Sequence, residues 1–177
     1  KESAAWLMTQ GFEVDFAPVD SNGFVSLDAL ASLIRRETIL ISVMSVNNEI
    51  GAIEPLHQIA ALLADKPTIS FHVDAVQAIG KIPLADMLPQ RVDFATFSAH
   101  KFHGPRGVGF IYMKKGKNLH PLLSGGGQES KKRSTTENIA GIAATAKALR
   151  LYVAEAESKQ VKLAAMKEVL LTALEAY

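Results

Sequence analysis

The sequence contains no cysteine, and it has only one tryptophan and three tyrosines among its 177 residues. Without cysteine the chain forms no disulfide and offers no thiolate to a metal ion, a composition consistent with a cytoplasmic location. No stretch of about 18 consecutive apolar residues occurs, so we expect no membrane-spanning segment. The 19 basic and 18 acidic residues nearly cancel, which gives no reason to expect nucleic acid or a membrane surface as a partner.

Apolar residues make up 48% of the chain and charged residues 21%, values typical of a globular domain with a substantial core. Apolar, β-branched runs alternate with helical patterns as far as residue 112. This alternation predicts an α/β fold with a mostly parallel sheet and helices on both faces, and ligands of such sheets bind at the carboxyl ends of the strands. The predicted strands cover residues 12–16, 38–44, 68–74, 92–97 and 108–112.

Helical spacing of apolar residues predicts two short helices early in the chain and two long helices at its end. Ser26 is placed to cap the first helix, and Pro55 to open the second. The long helices are predicted over residues 138–156 and 157–176. Because the first residues also have a helical pattern and the last ones continue it, we expect the chain to be a piece of a longer protein.

A lysine stands directly after one of the predicted strands, within residues 98–107, which read SAHKFHGPRG. An amine in a partly desolvated pocket has a lowered pKa, so Lys101 would be a competent nucleophile toward an aldehyde. Ser98, His100 and the backbone N–H groups of the glycine turn suit a phosphate. An aldehyde and a phosphate on one ligand indicate pyridoxal 5′-phosphate (PLP).

Three more polar residues lie at the end of a predicted strand or shortly after one. Asp74 could hold the pyridine nitrogen of PLP protonated, so that the ring accepts electrons. Gln77 could donate to the phenolic oxygen of the ring, and Asn48 could orient that oxygen or a substrate carboxylate. Each residue alone also has a structural explanation: the Asp as a cap or turn former, the Asn as a turn residue, and the Gln and Lys as solvated side chains.

Two histidines flank the lysine, and a third lies in the strand before Asp74. No cysteine or carboxylate lies at ligand spacing from His100 and His103, so we predict no metal site there. His72 has a simple interpretation as a strand histidine on the face opposite to Val73. A metal pair formed by His72 and Asp74 would lack a third ligand.

Four segments appear together in one order: residues 45–51 (SVNNEIG), 71–77 (FHVDAVQ), 98–107, and 125–129 (GGGQE). With them the chain resembles the cysteine desulfurases of the class V aminotransferase family, in the branch that serves iron–sulfur cluster assembly and tRNA thiolation. The resemblance implies that residues 1–177 are part of the large PLP-binding domain of a fold-type I transferase. The helices from about residue 138 would lead toward a C-terminal small domain outside the chain.

The resemblance also implies how the reactive end and the ring of the cofactor are held. Lys101 matches the lysine that forms the Schiff base and moves the Cα proton. Asp74 matches the partner of the pyridine nitrogen, and Gln77 matches the donor to the phenolic oxygen.

For the phosphate, Ser98 and His100 match two ligands of the family. Asn48 matches an asparagine on the cofactor and substrate side. Residues 133–136 (RSTT) resemble a segment whose threonine, here Thr136, reaches the phosphate bound by the neighbouring subunit. This last match implies a homodimer.

Several parts of the family's site have no counterpart in this sequence. They are the cysteine that takes up sulfur, the arginine that grips the substrate carboxylate, a phosphate-binding threonine loop, and the histidine that stacks on the ring. Thr135 also stands where relatives commonly have glycine. We therefore expect the isolated 177 residues to bind PLP weakly or not at all and to lack desulfurase activity.

The function implied by the resemblance is conversion of L-cysteine to L-alanine, with sulfur passed to an enzyme cysteine outside this chain and then to an acceptor protein. Two alternatives stay open. One is another class V enzyme, either a selenocysteine lyase or an aminotransferase of small amino acids. The other is a non-catalytic scaffold with the same fold.

Overall fold

The computed structural model describes residues 1–175, so Ala176 and Tyr177, predicted to extend the last helix, lie outside the described residues. The four strands are β1 (Leu40–Met44), β2 (Ser70–Asp74), β3 (Phe94–Ser98) and β4 (Gly109–Met113). The helices are α1 (Glu2–Thr9), α2 (Leu27–Leu33), α3 (Leu56–Leu62), α4 (Leu84–Met87), the single turn α5 (Gln128–Lys131), α6 (Ile139–Ala154) and α7 (Ala156–Leu174), with a 3-10 helix over Ala99–Phe102.

The sheet has the order β1-β2-β3-β4, with the first three strands parallel and β4 antiparallel to β3. A helix lies in each connection between parallel strands, because such strands need a long crossover. In register, Met44 pairs with Asp74, and Asp74 pairs with Thr96. The prediction of an α/β fold with a mostly parallel sheet is confirmed, and the carboxyl ends of β1, β2 and β3 lie at one edge.

The core lies against one face of this sheet. Phe71 and Val73 of β2 are fully buried, as are Ile59 and Leu63 from α3 and its end. Complete burial of one such side chain contributes about 1.5–3 kcal/mol, so β2 is firmly held. On the other face of β2, Ser70, His72 and Asp74 are half-buried.

The predicted caps are borne out by the local geometry. Ser26 precedes α2, and its Oγ accepts a hydrogen bond of 3.3 Å from the backbone N–H of Ala29. Pro55 precedes the first residue of α3. None of the helices in residues 1–175 is long and apolar enough to cross a membrane.

The strand predicted over residues 12–16 is wrong. In the structure this segment belongs to no strand, and the pairing nearby is one isolated bridge between Val19 and Val25. The two acidic residues of the segment share one contact, since Arg35 forms ion pairs with Glu13 at 2.9 Å and Asp15 at 3.0 Å. An alternating pattern specifies which side chains share a face, but a strand also requires a partner for its backbone groups.

Candidate functional site

The segments that follow β1, β2 and β3 are joined by hydrogen bonds to backbone carbonyl oxygens at the carboxyl edge of the sheet. The backbone N–H and the Oγ of Ser45 both donate to the carbonyl oxygen of Asp74, at 2.9 and 3.2 Å. The backbone N–H of Ala75 donates to the carbonyl oxygen of Thr96 at 3.0 Å. The segments that follow the three strands therefore begin side by side.

Asp74 is half-buried at the last position of β2. Its Oδ1 accepts a hydrogen bond of 3.0 Å from the backbone N–H of Val76, an Asx turn that fixes the orientation of the carboxylate. The carboxylate is thus held in place by its own strand end, at the edge where sheets of this kind bind ligands.

A row of three hydrogen-bonded side chains lies on the same face of the sheet as Asp74. The ring of His72 bridges neighbouring strands, with Nδ1 2.7 Å from Oγ of Ser42 and Nε2 3.2 Å from Oγ1 of Thr96. Burial lowers the pKa of His72, and the charge of Asp74 opposes that shift in part. Sequence reasoning treated His72 as an ordinary strand histidine and did not foresee this row, because its partners come from two other strands.

The lysine loop begins with the 3-10 helix that follows Ser98. Its first and last residues, Ala99 and Phe102, are buried, whereas His100 and Lys101 between them are exposed. The backbone N–H of Ala99 donates to the carbonyl oxygen of Val108 at 3.0 Å, which joins the 3-10 helix to the residue just before β4. Burial of the two end residues fixes the helix with its lysine and histidine facing outward.

Gly104 closes this loop. Its backbone N–H donates to the carbonyl oxygen of Ala99 at 2.8 Å. A Cβ at this position would lie 2.8 Å from Cβ of Ala99 and 2.9 Å from the carbonyl oxygen of Ala99, closer than van der Waals contact allows. The turn after Lys101 therefore requires glycine here.

The second histidine of the loop serves the packing of α6. His103 has φ of +66°, and the centroid of its ring lies 5.3 Å from that of Tyr152 in α6. Within residues 1–175 no group of three or more His, Cys, Asp or Glu side chains is arranged to hold a metal ion.

Asn48 lies at the tip of a turn that its neighbour builds. Oδ1 of Asn47 accepts from the backbone N–H groups of Glu49 at 2.9 Å and Ile50 at 3.1 Å, and the backbone N–H of Asn47 donates to the carbonyl oxygen of Ala52. Asn48 itself is exposed. Asn47 therefore stabilises the turn, and the side-chain amide of Asn48 is exposed at its tip.

Gln77 is half-buried in the turns that follow β2. Its Oε1 accepts a hydrogen bond of 2.6 Å from Nζ of Lys81. Burial lowers the pKa of Lys81, and the positive charge of Lys101 lowers it further. Sequence reasoning did not single out Lys81.

The glycine-rich segment that precedes Thr136 folds back on itself. Oγ of Ser134 accepts from the backbone N–H of Gly126 at 2.9 Å, and the backbone N–H of Ser134 donates to the carbonyl oxygen of Leu123 at 3.1 Å. Thr135 has φ of +140°, in the region that favours glycine. Thr136 is exposed, and no hydrogen bond among the described residues joins its side chain to the strand-end residues.

Comparison with known proteins agrees with this fold along the chain. The family described as aminotransferase class-V matches residues 3–177. A NifS/IcsS protein homolog of Lactobacillus delbrueckii subsp. bulgaricus is 50% identical over 158 residues, which are 89% of this chain and 41% of that protein. The cysteine desulfurase IscS of Methanosarcina thermophila is 46% identical over 172 residues, or 97% of this chain and 42% of that protein.

A solved structure of a NifS-like protein superposes with a TM-score of 0.93 and 41% sequence identity, covering 99% of this chain and 48% of that one. The chain therefore spans less than half the length of these relatives. The family match over residues 3–177 takes in all four strands of the sheet. The chain belongs to the class V aminotransferase family.

Proposed function

We propose that the protein containing this chain is a PLP-dependent cysteine desulfurase, a sulfurtransferase. In the reaction, L-cysteine and an enzyme thiol give L-alanine and an enzyme persulfide, so the sulfur leaves Cβ of the substrate and a hydrogen takes its place. This chain contains no cysteine, and the accepting thiol therefore lies outside it.

The observation that carries the proposal is the placement of a carboxylate at the end of one parallel strand and of a lysine three residues beyond the end of the neighbouring strand. Asp74 ends β2 and pairs in register with Thr96, which lies five residues before Lys101 along β3 and the helix after it. An acid for the ring nitrogen and an amine for the aldehyde are the two groups that PLP chemistry requires of a protein.

The donor set at this edge fits the cofactor. The pyridine nitrogen would be held by the Asp74 carboxylate, which its Asx turn keeps in one orientation. The phenolic oxygen would accept from the amide of Gln77, and the phosphate would accept from the Ser98 hydroxyl and the His100 ring. Asn48, exposed at the tip of its turn, would orient the phenolic oxygen or the substrate carboxylate.

PLP, when bound, supplies an electron sink for the electron pair released at Cα of the substrate. The chain's own contribution would be proton transfer and orientation. Lys101 would hold the aldehyde carbon of the cofactor, and its Nζ would take the Cα proton of the substrate and later return a proton to the product.

Thr136 is proposed to bind the phosphate held by a partner subunit, so that the enzyme is a homodimer. The basic residues beside it, Lys131, Lys132 and Arg133, would add favourable charge for a phosphate. The sulfur acceptor is proposed to be a protein, either a scaffold for iron–sulfur clusters or a tRNA-thiolating enzyme, in the cytoplasm. No nucleic acid or membrane is proposed as a direct partner.

The test uses the full-length protein reconstituted with PLP. We expect a visible absorbance band from the bound cofactor and formation of alanine and sulfide from L-cysteine in the presence of a thiol reductant. Lys101→Ala should remove the band and reduce turnover by at least about 10³-fold, since it removes both the attachment point and the proton carrier. Lys115→Ala, which changes an exposed lysine after β4, is the matched control and should leave both readouts unchanged.

Other results would point elsewhere. A protein with no such band, or one whose band survives Lys101→Ala, would contradict the proposal and favour a non-catalytic scaffold. Selenocysteine turnover without cysteine turnover would indicate a selenocysteine lyase. Amino transfer to a 2-oxo acid in place of sulfide release would indicate an aminotransferase.

A further inference from the structure

The segment between β2 and α4 holds two polar side chains on a fixed backbone. Ala75 and Ala78 are fully buried, and the backbone N–H of Ala78 donates to the carbonyl oxygen of Ala75 at 3.0 Å. Gly80 has φ of +69° and packs so closely against the ring of Tyr152 that a Cβ would overlap it. Gln77 and Lys81 project from this segment four residues apart, and the buried residues fix the spacing between them.

In the contact between these two side chains, the lysine is the donor and the glutamine is the acceptor. A lysine ammonium has three donors and no acceptor, whereas the amide of Gln77 has an acceptor end and a donor end. Nζ of Lys81 lies 2.6 Å from Oε1, so the acceptor end of the amide is committed to the ammonium. The end that remains for any other partner is the Nε2 group, which can only donate.

A phenolic oxygen, in its ionised form, only accepts hydrogen bonds. A freely rotating glutamine would present its carbonyl to that oxygen part of the time, and the two oxygens would repel. The contact with Lys81 removes this wrong orientation before any ligand binds, which is preorganisation of a binding group by its neighbour.

We propose that Lys81 is a positioning residue, whose ammonium holds Oε1 of Gln77 so that Nε2 is the end that donates to the phenolic oxygen of PLP. This inference rests on the proposed function. The positive charge of Lys101 also acts on Lys81, which indicates that the Gln77–Lys81 pair lies close to the amine proposed to hold the cofactor.

The test compares Lys81→Met, Lys81→Arg, Gln77→Ala and the double variant Gln77→Ala/Lys81→Met in the full-length protein. Two quantities are measured, the dissociation constant of PLP and the pH midpoint at which the visible band of the loaded protein titrates. Neither depends on turnover. Met keeps the length of the side chain without its donors, Arg keeps donors, and Lys115→Met is the matched surface control.

A donor to the phenolic oxygen stabilises the ionised form, so its loss raises the midpoint. We expect Gln77→Ala to raise it by about one pH unit, the effect of one lost hydrogen bond. Lys81→Met should raise it by about half a unit and weaken PLP binding about threefold, since the amide is then free to turn. Lys81→Arg and Lys115→Met should match the unmodified protein, and the double variant should match Gln77→Ala.

Three results would overturn the inference. If Lys81→Met matches the unmodified protein while Lys101→Ala abolishes the band, the proposed function stands and the positioning role does not. If Lys81→Met shifts the midpoint by the same amount in the Gln77→Ala background, Lys81 acts directly by its charge on Lys101. If the band survives Lys101→Ala, the proposed function fails and this inference fails with it. Lys81→Gln repeats the first comparison should Lys81→Met yield no folded protein.

Discussion

The guanidinium of Arg91 lies 2.6 Å from Oδ2 of Asp93, whose side chain is only 2% exposed, at the end of β3 opposite to Lys101. The same carboxylate oxygen accepts from the backbone N–H of Phe71 in β2 at 2.9 Å. Arg91 also donates to three backbone carbonyl oxygens, those of Leu63, Lys66 and Ile69. This pair joins the starts of β2 and β3 to the end of α3.

Arg91→Met should destabilise the protein strongly. It removes the nearest cation from the buried Asp93 carboxylate, which keeps Lys117 at 3.4 Å, and it removes the donor from three carbonyls. Breaking a buried pair costs about 3–5 kcal/mol. We expect a loss of this size in the urea unfolding of the full-length protein. Lys66→Met, which removes an ion pair with an exposed Asp65, is the control and should leave stability unchanged. Equal stabilities for the two variants would contradict the conclusion that Arg91 stabilises the buried Asp93 carboxylate.

The pKa of Asp93 is set by opposed effects. Burial alone would raise it, but the hydrogen bonds from Phe71 and Arg91, with the charges of Arg91 and Lys117, outweigh burial and lower the pKa below 3.8. The carboxylate thus stays ionised at neutral pH and contributes stability that is lost only as the pH falls below 3.8. At the neutral pH of ordinary unfolding measurements Asp93 is therefore charged, as the prediction for Arg91→Met requires.

His72 should make the stability of the protein fall in mild acid. Burial lowers its pKa below 6.5, so the folded state holds the neutral ring between Ser42 and Thr96 while the unfolded state takes up a proton more readily. The stabilisation is complete above pH 6.5 and declines as the pH falls from 6.5 through the folded pKa. We expect a lower Tm at pH 5.5 than at pH 7.5, and a smaller difference in His72→Gln. An unchanged difference in that variant would assign the effect to another group.

Gly104→Ala should disturb the loop that carries Lys101. The added Cβ would meet both Cβ and the carbonyl oxygen of Ala99, and overpacking of this kind costs about 1–3 kcal/mol. We expect a lower Tm and weaker PLP loading of the full-length protein. Gly127→Ala is the matched control, because a Cβ there has nothing within 4 Å and φ is negative. Normal loading in Gly104→Ala would show that the loop tolerates the extra methyl group.

Thr135→Gly should stabilise the protein. A β-branched residue at φ of +140° stores about 1–3 kcal/mol, and glycine adopts this conformation freely at an entropic cost of about 0.5–1 kcal/mol. We expect a net gain of about 1 kcal/mol, visible as a higher Tm. Thr136→Gly lacks this strain to relieve and should not raise the Tm. A decrease for Thr135→Gly would mean that the contact from Arg133 to Oγ1 of Thr135 outweighs the strain.

The sequence by itself determined the features that depend on neighbouring residues. Apolar runs predicted the four strands of the sheet, and Ser26 predicted the start of a helix. The change from apolar to polar residues predicted that strands end near Asp74 and Ser98. These features are local because backbone propensity, capping and alternation act over a few residues. The same reasoning failed at residues 12–16, where the alternating segment forms no strand and its acidic side chains pair with Arg35.

The tertiary structure alone decided which distant groups meet. His72 contacts Ser42 and Thr96, 30 and 24 residues away, and Arg91 reaches carbonyls 22 to 28 residues away. Periodicity gives the face on which a side chain lies, but the partner on that face depends on strand order and register, which long crossovers set. The contact between Lys81 and Gln77 differs, because the two residues are only four apart in the sequence. They nevertheless meet only because the turns between them have a fixed, buried backbone.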